Sequence, residues 1–328
     1  MYFNNQTMIT YSPENKCQSK HQKKCESQCE SKCKNRCKDK CRCGVEVKIR
    51  ITDCRYIYSN WAGHGNPTII LVTGLGERAD NWMTTENPND ISVFKGASKY
   101  SKVIAYDRPG TATIFGNRFC PSRSSPRKTL ATIKDSAMDL HLLLKKSGRK
   151  PPYILVGHSL GGPIIRLYAS EHPKNVAGFV FVDALSEDLG NYLTEEQLAN
   201  FELLNDPVTQ GRPPWAEQVF YSQQVVPLLR SSKPLPKVPT IILTADIIPI
   251  TSEQILSGML PPFVTQEFVD ALWKAQLLAQ NDFAAKFPCA KHITNTNAGH
   301  YIHLEQPELV IRSIKKVLKA FLADKVCF

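Results

Sequence analysis

No run of eighteen apolar residues occurs in the 328-residue chain, so the sequence offers no membrane-spanning helix. Met1 to Tyr11 lacks a basic start followed by an apolar core, and no secretory signal is expected. The ending Lys325-Val326-Cys327-Phe328 puts Cys second from last, which is not a prenylation box. Cysteine is scarce where a secreted disulfide scaffold would need it. Only Cys54, Cys120, Cys289 and Cys327, of eleven cysteines, lie beyond residue 43. That scarcity predicts a reduced, intracellular body. Acid is scarce in residues 16–43, which hold three acidic residues against ten Lys or Arg. This segment carries +7, leaving +4 of the chain's +11 for everything else.

The basic segment also holds Cys17, Cys25, Cys29, Cys33, Cys37, Cys41 and Cys43, spaced by four from Cys25 to Cys41. Residues 1–43 therefore read as an appendage, with three readings open. It has almost nothing apolar to bury, which suits a disordered or marginally helical tail. Four thiolates can meet one Zn²⁺ or similar ion, although Cys-x₃-Cys is not the usual Cys-x₂-Cys knuckle and seven thiols leave an odd one. Its Lys and Arg would also attract a nucleic acid or another polyanion, without the interleaved aromatics that strengthen such binding.

From Gly44 the pattern becomes that of a folded α/β domain, expected over 44–328. Val45 to Ile51 alternates as a half-exposed antiparallel strand, with Arg55 to Tyr58 as its hairpin partner. Buried strands follow at Thr68–Thr73, Lys102–Asp107, Tyr153–Gly157, Val176–Asp183, Thr240–Asp246 and Lys291–Asn295. Helical spacing runs from Leu130 to Ser147 and from Pro307 to Ala323. This alternation predicts a mostly parallel, eight-stranded sheet covered on both faces. The rhythm breaks between Leu185 and Lys237, which is long for a loop. A helical cap is expected over 185–237, after the sixth strand, with helices at Leu193–Leu204 and Trp215–Leu229.

One stretch organises the rest. Tyr153-Ile154-Leu155-Val156 stops at Gly157-His158-Ser159-Leu160-Gly161, and a helical pattern resumes at Ile164. Glycines flanking Ser159 would let strand and helix approach closely while Ser159 takes a strained backbone. Its hydroxyl would then stand above the sheet edge, with the Leu160 N–H free to hold an oxyanion.

These features resemble the α/β-hydrolase fold family over roughly Val45 to Phe328. The matching motifs are Gly157-His158-Ser159-Leu160-Gly161-Gly162, Tyr106-Asp107-Arg108-Pro109-Gly110 and Ala298-Gly299-His300 through Pro307-Glu308. The resemblance implies the serine-nucleophile, esterase- or lipase-like branch. The dehalogenase and epoxide-hydrolase branches look to Asp where Ser159 stands. Ser159 becomes the nucleophile and His300 the base, with His303 expected to pack or to cap the last helix. The acid falls to Asp246, at the end of the seventh strand, or to Asp183, at the end of the sixth, with Asp246 preferred. Asp246 lacks the family's usual Gly-x-x-Asp, and its 54-residue separation from His300 implies an insertion around 250–265. The oxyanion hole falls to backbone N–H groups of Leu75 and Leu160, although Thr73 departs from the family's His-Gly. Asp107 and Arg108 are expected to form a structural carboxylate–guanidinium brace.

The function expected is hydrolysis of an ester, thioester or amide of a small to medium, partly apolar acyl substrate through an acyl-enzyme, with no cofactor. Phe201, Trp215, Phe220 and Tyr221 would pack the cap or shape its pocket. The alternative is a non-catalytic ligand-binding or scaffold protein on the same fold.

Overall fold

The computed structural model describes residues 44–115, 118–127, 129–213, 216–258 and 260–328. The basic, cysteine-rich segment and Trp215 lie outside them, and so do the metal and polyanion readings of that segment.

Strands β1 (Val45–Thr52) and β2 (Arg55–Ala62) form the expected hairpin. The sheet continues with β3 (Thr68–Val72) and β4 (Val103–Tyr106), and later with β7 (Tyr153–His158), β8 (Val176–Val182), β9 (Thr240–Leu243) and β10 (Lys291–Ile293). The eight strands lie in the order β1-β2-β4-β3-β7-β8-β9-β10. The β1–β2 and β2–β4 pairs are antiparallel and the rest are parallel. Every residue of β3, β7 and β8 is buried, as expected for parallel strands covered on both faces.

Alternation along the strands divides the core. Ile70, Leu155, Phe179 and Phe181 face α2 (Ile133–Lys146), α3 (Gly161–Glu171) and α7 (Gln266–Ala285). Ile69, Leu71, Ile154, Val156 and Val180 face α1 (Val93–Ala97), the short α8 (Ile302–Glu305) and α9 (Pro307–Leu322). Each such aliphatic side chain contributes about 1.5–3 kcal/mol of hydrophobic stabilisation. At the start of α2, the Thr132 hydroxyl and the Asp135 carboxylate each accept a hydrogen bond from the other's backbone N–H, satisfying two donors that a bare helix end would leave unpaired.

Between β8 and β9 the chain runs through α4 (Glu195–Leu204), a single π turn at Tyr221–Val225 and α5 (Val226–Arg230). The helix expected over 215–229 is thus much shorter. Pro227 falls in the first turn of α5, where a missing N–H costs nothing. Tyr221 is buried; its hydroxyl donates to Ser186 O at 2.9 Å and accepts from Gly190 N at 3.0 Å, while Phe201 packs edge-on against its ring. These contacts make Tyr221 a strut within this region. Phe220 is half-buried.

Two elements went unanticipated: the short hairpin β5 (Ala112–Phe115) with β6 (Arg118–Pro121), and the twenty-residue helix α7. Residues 250–265 carry α6 (Ser252–Leu256) and a satellite core in which Ile250 and Val264 join Leu204, Phe268 and Val269. The body is not fully reduced, contrary to the expectation from its cysteine count. Cys289 and Cys327 are joined in a disulfide with Cα atoms 4.7 Å apart. No helix among the described residues is long and apolar enough to cross a membrane.

Candidate active site

Ser159 sits between β7 and α3 with φ +47°, in the left-handed region that a non-glycine residue occupies at a cost of order 1–3 kcal/mol. Its backbone is clamped. Ser159 N donates to Val182 O at 3.1 Å, and Ser159 O accepts from Gly162 N and Leu185 N at 3.0 Å each. The flanking glycines are needed for the close approach. A Cβ at Gly157 would stand 2.7 Å from the Gly161 carbonyl, and one at Gly161 would stand 2.3 Å from Val72 O. The side chain of residue 159 is half-buried rather than enclosed.

Both N–H groups expected to form the oxyanion hole, those of Leu75 and Leu160, have no hydrogen-bond acceptor among the described residues. The loop carrying Leu75 is held by Arg108, which donates to Thr73 O at 2.8 Å, Thr73 Oγ1 at 3.0 Å and Gly74 O at 2.6 Å. The same guanidinium forms a two-pronged pair with Glu217, at 2.8 and 2.7 Å, and Glu217 in turn accepts from Gly76 N at 3.0 Å. Arg108 therefore braces the loop that departs from His-Gly at Thr73. The expected Asp107–Arg108 pair is corrected: Arg108 joins Glu217, while Asp107 takes Arg123 at 2.8 Å and Ala79 N at 2.9 Å. The two side chains serve different neighbours from one strand end.

His300 lies in the loop after β10, and its Nδ1 stands 2.6 Å from Asp183 Oδ2. Asp183 is 2% exposed, at the end of β8, with φ +40°. Its other oxygen accepts from Ala245 N at 3.1 Å and from Gln276 Nε2 at 3.5 Å. The preference for Asp246 is therefore corrected. Asp246 is exposed, and its Oδ1 accepts from Ala298 N at 3.0 Å and Thr296 Oγ1 at 3.1 Å. Burial alone would raise its carboxyl, but the Ala298 amide and its other donors together hold it below the usual range. Asp246 fastens the loop that carries His300 and does not meet the imidazole. Gly299 N, in the same loop, donates to Glu305 at 2.8 Å.

A second polar group lies behind the serine turn. His158 is fully buried; its Nδ1 is 3.2 Å from Glu77 Oε2 and its Nε2 is 3.0 Å from the carbonyl oxygen of His300. Its ring centroid stands 4.8 Å from that of His300 and 4.3 Å from that of His303. His158 thus links the segment bearing Ser159 to the segment bearing His300. Burial pushes the Glu77 carboxyl up, yet the neighbouring His158 outweighs this and holds it down at about 2. His303 packs against Trp82 at 4.6 Å, as expected of a packing residue, and burial depresses its basicity. Glu77, His158 and His303 bring ligand-capable atoms within 4.8 Å of one another, forming among the described residues a set that could hold a metal ion.

Sequence reasoning singled out Ser159, His300, Leu75 and Leu160 and passed over Glu77, Gln276 and Glu217, which hydrogen-bond to Gly74, Asp183 and Gly76. Glu77 stands three residues beyond Gly74 in the loop that carries Leu75, which was a usable signal. Gln276 and Glu217 reach the site from distant segments, and no local spacing marks them.

A profile of the family described as "Alpha/beta hydrolase family" matches residues 69–313. The chain is 32% identical over 125 residues to "Probable transporter efuK" of Hormonema carpetanum, covering 38% of this chain and 16% of that one. It is 23% identical over 150 residues to the protein YqjL of Bacillus subtilis, covering 45% and 51%. The chain thus spans about half or less of the length of these relatives. Carboxylesterase CesB of Bacillus subtilis superposes with a TM-score of 0.54 at 17% identity, over 91% of this chain and 98% of that one, a likeness of fold. With the profile spanning well over half of its residues, around an eight-stranded sheet of the matching kind, this chain belongs to the alpha/beta hydrolase family.

Proposed function

We propose that the protein is a serine hydrolase that cleaves an ester, thioester or amide of a small to medium substrate. Ser159 attacks the carbonyl carbon while His300 takes the hydroxyl proton. Asp183 holds the imidazole by Nδ1 and stabilises the imidazolium that forms. The N–H groups of Leu75 and Leu160 receive the developing oxyanion. The tetrahedral intermediate collapses as His300 passes the proton to the leaving group. Water then repeats the sequence on the acyl-enzyme, releasing the acid and restoring Ser159. The carrying observation is the 2.6 Å contact between His300 Nδ1 and Asp183, in the loop next to a serine with a strained backbone.

A fluorophosphonate probe tests this reading. Wild-type protein should be labelled, Ser159→Ala should not, and p-nitrophenyl ester hydrolysis should disappear with the label. A wild type that resists the probe would sink it. A non-catalytic binding protein on this fold is the second reading. One observation favours it: Ser159 Oγ makes no hydrogen bond among the described residues, and the ring hydrogen bond of His300 runs to Asp183 and not to the serine.

A further inference from the structure

Arg212 is 7% exposed, yet its Nε, Nη1 and Nη2 all lack a hydrogen-bond partner among the described residues. A buried guanidinium normally has a carboxylate or several carbonyls around it, because an uncompensated charge away from water is expensive. The position of this one is fixed by its neighbours. A Cβ placed on Gly76 would stand 2.4 Å from Arg212 Nη1 and 3.0 Å from Cζ, so the guanidinium lies directly against Gly76, next to Leu75. It also lies within electrostatic reach of Tyr301, the residue after His300. Arg212 therefore lies against the loop offering the oxyanion donor and is felt electrostatically by the loop offering the base.

The nearby carboxylate is already committed. Both oxygens of Glu217 are held by Arg108, and one also accepts from Gly76 N. Two buried guanidinium groups thus share one carboxylate, and Arg212 receives only longer-range attraction from Glu217 and Asp206. A planar fork with unpartnered donors, lying against the glycine next to Leu75, suits a bidentate oxyanion.

We infer that Arg212 is the recognition point for an anionic group on the substrate, a carboxylate or a phosphate carried a few bonds away from the scissile carbonyl. This inference rests on the serine-hydrolase reading for its position and narrows the substrate class to acidic acyl compounds. The anion completes the charge balance that Glu217 leaves open. It also exchanges three orphaned donors for charge-assisted hydrogen bonds, which favours such substrates over neutral ones of the same length.

The test compares the mono-p-nitrophenyl ester of glutaric acid with p-nitrophenyl pentanoate on the full chain. Wild-type kcat/KM should favour the acidic ester by about 10- to 100-fold. Arg212→Gln should erase the preference mainly through KM, and Arg212→Lys should keep part of it. A second measurement, independent of how Arg212→Gln folds, uses wild type with inorganic phosphate or glutarate. Each should raise its melting temperature and slow fluorophosphonate labelling at millimolar concentration. Labelling at Ser159 with no preference for the acidic ester and no protection by either anion overturns this inference and leaves the serine reading intact. No labelling under any condition removes the serine reading, and the melting shift with phosphate or glutarate then decides the anion site alone. Absence of that shift rejects it.

Discussion

The ends of β8 and β9 are neighbouring positions in one sheet, and each presents an aspartate after a run of buried aliphatic residues. Asp183 is buried in a left-handed backbone conformation, with one oxygen on His300 and the other on Ala245 N. Asp246 stands in solvent and spends one oxygen on Ala298 N and Thr296. The first is shaped to orient a ring, the second to hold a loop. An orienting acid needs a fixed direction and shelter from competing water, and the end of β8 supplies both. Nothing in the strand patterns distinguishes the two.

The sharpest way to break this comparison is to exchange each carboxylate for its amide. Asp183→Asn should lower kcat/KM on activated esters by on the order of 10³- to 10⁴-fold, because an amide supports the wrong imidazole tautomer. Equal losses at both aspartates, or a greater loss at Asp246, would reject the assignment. The next effect concerns the loop facing Ser159. Glu217→Ala leaves the buried Arg108 without its counter-charge, which costs about 3–5 kcal/mol. A melting temperature lowered by roughly ten degrees is the expected calorimetric result. A third carboxylate marks what a purely structural acid does. Glu187, in the same connection as Asp183, takes both prongs of Arg166 at 2.5 and 2.8 Å. Burial alone would raise its carboxyl, but Arg166 and Lys286 lower it to about 2. Its folded value lies below the unfolded one, so its contribution is complete above about pH 4.5 and fades as pH falls towards 2. Urea midpoints measured from pH 5 down to 2.5 should fall less steeply in Glu187→Gln than in wild type. The smallest effect belongs to Asp246→Asn, which should change kcat/KM by about fivefold or less, the value of one lost hydrogen bond to a loop amide.

Much of this arrangement was legible in the chain, for reasons the structure makes plain. Buried parallel strands write themselves as aliphatic runs, so β3, β7 and β8 could be read directly. The serine turn is a local device whose glycines are required by contacts within a few residues, so it leaves a compact mark around Ser159. The contacts of Asp183 are set instead by partners 62, 93 and 117 residues away. Both aspartates end strands, and choosing between them requires knowing where the imidazole points. The Arg108–Glu217 clasp spans 109 positions, and Arg212 draws its meaning from Gly76 and Tyr301. Such relations belong to the packed molecule. The disulfide also escaped, because four scattered cysteines say nothing about which two converge.

That sulfur–sulfur bond closes residues 289–327 into a ring containing β10, His300 and α9. A protease that nicks the peptide once inside the ring cannot release either fragment. The strand, the imidazole and the final helix would stay tethered to the rest of the molecule until a reductant parts them.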